Sequence, residues 1–179
     1  MPAETPIEFL HLSEKLHEAF DGKLPEAATG TPQQKEANFL SRALAAYAIH
    51  KLAGCTLDEA AASVVDGGGD GGIDAIYYAP STRLLWVDQS KFFSDGRGEP
   101  DLGSVTKFKT GLENLLQGKF DAFGDIRFVD AQARLDNFAF QVLNMTEPDR
   151  NWRGYIIVYA GRRSYAREAQ FKANCYKNY

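Results

Sequence analysis

Residues 66–93 read DGGGDGGIDAIYYAPSTRLLWVDQSKFF, and this stretch decides the fold. Two runs rich in Ile, Tyr, Leu, Trp and Val, residues 73–79 and 83–91, are separated by Pro80-Ser81-Thr82, a pattern that predicts a β-hairpin. Both faces of this ribbon are apolar in its middle. We therefore expect the hairpin to lie inside a sheet that helices cover on both sides.

The hairpin brings polar side chains to one of its ends. If the turn is centred between Ser81 and Thr82, residues that face each other have numbers that sum to 163, so Asp74 faces Gln89. Directly opposed residues project from the same side of a sheet, with Cβ atoms about 4.5 to 5.5 Å apart. Lys91 lies two residues beyond Gln89 and projects from that same side. The sequence therefore predicts that a carboxylate, an amide oxygen and an ammonium converge.

This set of groups suits phosphodiester hydrolysis. The reaction needs a divalent cation that neutralises developing charge and lowers the pKa of an attacking water, and Mg²⁺ prefers oxygen ligands. Asp74 is the expected anchoring ligand of the metal ion. The side-chain carbonyl of Gln89 and the backbone carbonyl of Ser90 are the other expected ligands from the protein. Lys91 is expected to position the nucleophile or stabilise the transition state. The neighbouring glycines would let a nucleic-acid backbone come close.

The flanking sequence is mainly helical. Apolar spacing predicts helices over 6–20, 33–53, 57–65, 104–116 and 164–176, and a capping-box pattern at Thr56 and Glu59 marks the start of the third. Residues 125–145 are ambiguous between helix and strand, with helix favoured, and residues 155–160 are typical of a buried strand. This order predicts an α/β fold with a central mixed sheet of about four to five strands flanked by helices.

The glycine-rich loop and the hairpin together resemble the active-site region of a known nuclease superfamily. Asp-Gly-Gly-Ile-Asp74, then a hairpin, then Val87-Asp-Gln-Ser-Lys91 resembles the PD-(D/E)xK restriction-endonuclease-like nuclease superfamily, in the Mrr-like variant with Gln in place of the acidic residue. The segment is also similar to the N-terminal nuclease region of abortive infection phage resistance (AIPR) proteins. The specific match spans residues 66–93.

The resemblance implies a restriction-endonuclease-like fold and a Mg²⁺-dependent endonuclease, with Mn²⁺ able to substitute. It implies that Asp74 and Gln89 hold the metal, that Lys91 is catalytic, and that a glutamate from the preceding helix joins the site, a role that falls on Glu36. The resemblance also favours DNA over RNA as the substrate and implies a biological role in anti-phage or restriction defence. Gln89 stands where the superfamily pattern has an acidic residue. The site therefore carries one negative charge fewer, which leaves the number of metal ions open.

Length and composition bound the organisation of the chain. At 179 residues, with 44% hydrophobic and 25% charged residues, it suits one soluble domain. We expect an N-terminal helical extension over 1–30 and a nuclease domain over 31–179, as a fragment of a longer protein with further domains. No segment approaches the roughly 18 apolar residues of a membrane span, so we expect no membrane partner and a cytoplasmic protein. A homodimer is consistent with the resemblance, because many such nucleases pair to cut both strands.

Charge is unevenly distributed. The last thirty residues, from Arg150 onward, hold seven basic side chains and one acid, whereas the first 149 residues carry 13 basic and 23 acidic ones. The basic end could hold phosphates, or it could be a solvated helix face.

Several alternatives stay open. Glu36 near a helix N-terminus is also favoured by the helix dipole alone, and Asp66, Asp70 and Asp88 are expected to be turn or flanking residues rather than ligands. The rival to a nuclease is a nuclease-like module that binds nucleic acid or protein without cutting. No P-loop lysine, GxSxG elbow or HExxH motif occurs in the chain, so an ATPase, a serine hydrolase or a zinc peptidase has no support.

Overall fold

The computed structural model describes residues 6–24, 30–79, 81–82, 84–93, 100–117, 119, 122–123, 153–155 and 158–159. The elements within these ranges are, in chain order, α1 (Ile7–Phe20), α2 (Pro32–Ala53), α3 (Leu57–Ala62), β1 (Ala75–Ala79), β2 (Leu84–Ser90), α4 (Leu102–Leu116), β3 (Arg153–Tyr155) and β4 (Val158–Tyr159). The mixed α/β class is confirmed. The helices predicted over 125–145 and 164–176 lie outside the described residues.

Local side-chain chemistry fixes the ends of the helices before the hairpin. Thr31 and Gln34 form a capping box at the start of α2, and Thr56 and Glu59 form the predicted one at the start of α3. Each satisfies two backbone N–H groups that have no partner within the helix. Gly54 ends α2 in the left-handed conformation, with φ 69°, which glycine adopts at little cost.

The hairpin has the predicted register. Ala75 pairs with Asp88 and Ala79 with Leu84, so the numbers of facing residues sum to 163 along the whole ladder. Just before β1, the Asp74 N–H donates to the Asp88 carbonyl at 2.8 Å. The two strands therefore stay in contact as far as Asp74, but this bond joins residues whose numbers sum to 162, so the direct facing of Asp74 and Gln89 stays a prediction.

The other edge of β2 is also paired. β3 and β4 both run parallel to β2, and in both pairings the partner's number is 69 higher than that of the β2 residue. They therefore occupy successive parts of a single edge in one register. Residues 155, 158 and 159 lie in strands as predicted, whereas 156, 157 and 160 lie outside the described residues. The count of four to five strands stays a prediction.

Apolar side chains pack on both faces of the hairpin, as predicted. One face contributes Ala75, Tyr77 and Trp86 to a core with α1, α2 and α3. The other face contributes Ile76, Leu85 and Val87 to a second core, with Phe108 and Leu115 of α4. This second face is also the one from which Asp74, Gln89 and Lys91 project, because side chains alternate along a strand.

The helix α1 is built into the first core. Its buried residues Leu16, Ala19 and Phe20 pack in the same cluster as α2 and α3. The boundary predicted at residue 30 stays a prediction. None of the helices in the described ranges is long and apolar enough to cross a membrane.

Candidate metal and phosphate site

Asp74 lies at the start of the hairpin with its carboxylate buried. The residue is 6% exposed, and its Oδ2 accepts a hydrogen bond of 2.7 Å from the Ser90 N–H. Burial raises the pKa of Asp74 to about 7, against the opposing effects of the Lys91 ammonium and the Ser90 N–H. The carboxylate is thus held in place but inadequately compensated as an anion, a condition that a bound cation would relieve.

Gln89 is buried beside it. The Gln89 Nε2 donates to the Gly72 carbonyl at 2.9 Å and to the Ser104 carbonyl at 3.3 Å. Because both partners are carbonyl acceptors, the amide nitrogen must face them. The atom that Gln89 could offer a cation is therefore Oε1, as the sequence interpretation requires.

Lys91 and Ser90 complete the predicted set. Lys91 is half-buried and close enough for its ammonium to lower the Asp74 pKa. Ser90 is buried, and its hydroxyl donates to Asp88 Oδ2 at 2.6 Å, so its side chain serves the opposite face. The structure brings Asp74, Gln89 and Lys91 to the same end of the hairpin.

The glycine-rich loop forms a tight turn around Asp70. Its Oδ1 accepts from the Gly72 N–H at 2.6 Å and its Oδ2 from the Gly67 N–H at 3.1 Å. Gly71 and Gly72 have φ values of 65° and 81°, which side-chain-bearing residues rarely adopt. Asp70 therefore has the turn role expected of it.

Asp70 also belongs to a cluster that the sequence analysis did not identify. Asp66, Asp70 and Asp74 each place a carboxylate oxygen within 4.8 Å of the others, and Asp70 and Asp74 are buried. Two cations from different helices compensate the cluster: Arg42 Nε lies 2.8 Å from Asp66 Oδ2, and Lys107 Nζ lies 2.8 Å from Asp70 Oδ1. The aspartates recur every four residues, as D-x3-D-x3-D, but that spacing gathers side chains on one face only in a helix, so the sequence carries no signal for this cluster in a loop.

The helix α4 closes against this loop at very short range. A Cβ atom added to Gly111 would lie 2.3 Å from the Gly71 carbonyl oxygen, and one added to Gly72 would lie 2.9 Å from the Phe108 nitrogen. Only glycines allow two backbones to approach so closely. The backbone beside Lys107 is thereby fixed relative to the acidic cluster.

Glu36 has a different partner. It lies in the second turn of α2, half-exposed, and its Oε1 accepts a 2.9 Å hydrogen bond from His17 Nε2 of α1. Among the described residues, the carboxylates gathered in one group are Asp66, Asp70 and Asp74. A catalytic role for Glu36 stays a prediction.

Two further predicted features have different outcomes. Asp88 is buried on the face opposite to Asp74, where burial raises its pKa to about 7, and this agrees with a flanking position. In the basic segment from residue 150, the structure describes residues 153–155 and 158–159, and of these only the backbone.

These groups amount to an oxygen-rich cluster with two ammonium groups at its edge. Comparison with known proteins finds no matching family model, no matching curated protein and no matching solved structure.

Proposed function

We propose that this protein is a metal-dependent nuclease that hydrolyses phosphodiester bonds, with DNA as the favoured substrate. The observation that carries the proposal is the convergence of Asp74, Gln89 and Lys91 at one end of a hairpin whose register follows from the sequence. The resemblance to PD-(D/E)xK nucleases and to AIPR proteins supports a restriction-endonuclease-like fold with a central sheet of about four to five strands. It likewise supports a role in anti-phage or restriction defence.

The donor set fits a hard divalent cation. Oxygen ligands on opposite sides of Mg²⁺ lie about 4.2 Å apart, twice a bond length of about 2.1 Å. The oxygens of Asp66, Asp70 and Asp74 already lie within 4.8 Å of one another, so small side-chain rotations would suffice. Asp74 and Oε1 of Gln89 are the proposed ligands, and the Ser90 backbone carbonyl is a further one. Asp70 and Asp66 are near enough to contribute directly or through water.

Each side chain of the proposed site has a separate role in the reaction. The cation, when bound, supplies positive charge that stabilises the transition state and acidifies a water molecule. Asp74 holds its place through the Ser90 N–H, and Gln89 is oriented by two backbone carbonyls. Lys91 lies beside Asp74, where its ammonium can orient the attacking water and stabilise charge on the phosphate. Such preorganised groups need no rearrangement during the reaction.

A cleavage assay tests the proposal directly. Plasmid DNA, single-stranded DNA and RNA are incubated with the protein, with and without Mg²⁺ or Mn²⁺. We expect metal-dependent cutting that Asp74→Ala abolishes and that Lys91→Ala slows by about two to three orders of magnitude. Lys109→Ala is the matched control, because Lys109 is an exposed α4 residue that pairs with Glu113.

Each result has a defined meaning. Cutting of RNA alone would support the proposed nuclease activity but show that the substrate is RNA and not DNA. Cutting that Asp74→Ala leaves intact would overturn the proposed site. If no substrate is cut while the protein still binds nucleic acid, the chain is the non-cleaving binding module.

A further inference from the structure

Lys107 is the exposed member of the two cations that compensate the acidic cluster. Arg42 is 4% exposed beside Asp66, whereas the Lys107 side chain is 55% exposed and reaches Asp70 from the solvent side. An ammonium on a flexible stem can leave a carboxylate easily, because solvent replaces the lost hydrogen bond. The buried guanidinium has no such freedom.

The position of Lys107 does not depend on that ion pair. A Cβ at Gly72 would lie 3.2 Å from the Lys107 carbonyl carbon, and α4 packs just as closely at Gly111. In addition, Ser104 of the same helix accepts a hydrogen bond from Gln89. The backbone of Lys107 is therefore fixed to the site by contacts that persist when the ammonium lets go of Asp70.

The charges around the cluster change when a cation enters. Without one, the carboxylates of Asp66, Asp70 and Asp74 face the cationic groups of Arg42, Lys107 and Lys91. A divalent ion adds two positive charges and competes with Lys107 for Asp70. The released ammonium is then free to bind another anion, and a phosphate group drawn to the same excess charge is the one that nuclease chemistry supplies.

We propose that Lys107 is a phosphate-positioning residue, which holds Asp70 in the metal-free protein and transfers to a substrate phosphate when the cation binds. This rests on the proposed nuclease function and adds to it a second ammonium, on a different element from Lys91. The phosphate contacted is a backbone phosphate of the bound nucleic acid.

The test compares the affinity for Mn²⁺, which Lys107→Met should not weaken, with the affinity for DNA, which it should weaken. Mn²⁺ binding is followed by calorimetry in wild type and Lys107→Met. Binding of a short labelled duplex DNA with Mg²⁺ is followed by anisotropy, with both proteins carrying Lys91→Ala so that cutting is slow compared with the measurement. We expect Lys107→Met to bind Mn²⁺ as tightly as wild type or up to about tenfold more tightly, and DNA about five- to tenfold more weakly. The slope of log affinity against log salt concentration should fall by about one.

Controls separate this from a structural role. Lys107→Arg should retain DNA binding, and Lys109→Met, on the same helix, should change neither affinity beyond about twofold. Lys107→Gln keeps a donor for Asp70 without the charge, and it replaces Lys107→Met if the latter does not fold. Lost Mn²⁺ affinity would mean that Lys107 only clamps Asp70, and unchanged DNA affinity would equally overturn the proposal. If neither wild type nor the Lys91→Ala protein binds DNA, the nuclease proposal itself fails, a result distinct from equal binding with and without Lys107→Met.

Discussion

Asp74 is a residue in which burial opposes the negative charge of the side chain. Its pKa is raised to about 7 because the carboxylate is desolvated, and Asp66 and Asp70 add to the effect. The folded-state pKa therefore lies above the unfolded value of about 3.9. The contribution of Asp74 to stability is fully present below about pH 4 and is lost as the pH rises through about 7.

A bound cation should offset that loss. We expect Mg²⁺ to raise the thermal unfolding midpoint more at about pH 8 than at about pH 6, because at the lower pH the ion must displace a proton from Asp74. Thermal unfolding with and without Mg²⁺ at both pH values measures this. Asp74→Asn should remove most of the Mg²⁺ effect at both, and a stabilisation independent of pH would contradict the pKa argument.

At this scale the sequence predicts some positions and not others. Asp74, Gln89 and Lys91 could be placed together because a strand has a period of two and the turn fixes the register. Asp66 and Asp70 could not, because their positions depend on the left-handed conformations of Gly71 and Gly72. A glycine permits many conformations, and the sequence does not state which one the fold selects.

Among the elements, α4 packs against the glycine-rich loop through a very close backbone contact. Gly111 lies in the middle of this helix, where alanine would ordinarily stabilise by about 1 kcal/mol. In this protein a Cβ would lie 2.3 Å from the Gly71 carbonyl oxygen, which belongs to backbone and cannot move aside. The packing requirement therefore outweighs helix propensity at this position.

We expect Gly111→Ala to destabilise the protein by about 3 kcal/mol, as overpacking of a core does. It should also lower cleavage, because displacement of α4 removes the Ser104 carbonyl from Gln89. Urea denaturation measures the stability. The control is Thr110→Ala at the adjacent exposed position, where the change should stay within about 0.5 kcal/mol. A stabilised Gly111→Ala protein would show that the backbones of Gly111 and Gly71 are not in close contact.

The existence of α4 was predictable, but its docking was not. Its apolar spacing predicts the helix, and the structure adds the Asp101 cap at its start. The contact between Gly111 and Gly71 joins two residues that have no side chains and lie forty positions apart. The periodic spacing of apolar residues in the sequence does not predict such a pair. Helix boundaries follow from local chemistry, whereas the choice of neighbour comes from tertiary packing.

On the scale of the whole molecule, the link between α1 and α2 is electrostatic as well as apolar. Both ring nitrogens of His17 face carboxylates, Nδ1 at 2.8 Å from Asp21 Oδ1 and Nε2 at 2.9 Å from Glu36 Oε1. The ring also stacks on Phe39, with centroids 4.5 Å apart. The hydrogen bond with Glu36 is the largest cause of the raised His17 pKa.

This raised pKa predicts a stability that depends on pH. The stabilisation is fully present below the ordinary histidine pKa of about 6.5 and is lost as the pH rises through the folded-state value. We expect His17→Gln to cost up to about 1 kcal/mol more at about pH 6 than at about pH 9, a small effect because the pair is partly exposed. Chemical denaturation at the two pH values measures it, and His11→Gln, on the exposed side of α1, is the control. An equal cost at both pH values would rule out the charged link.

The parallel pairing of β2 with β3 and β4 has a consequence for synthesis on the ribosome. The hairpin, the acidic cluster and α4 all emerge before residue 124, but the partner of the second β2 edge begins at Arg153. The nascent chain must therefore carry an open strand edge beside the acidic cluster while a further stretch of chain is translated. Such an edge is a template for pairing with other chains, so slow translation or truncation after α4 should favour self-association of the unfinished product.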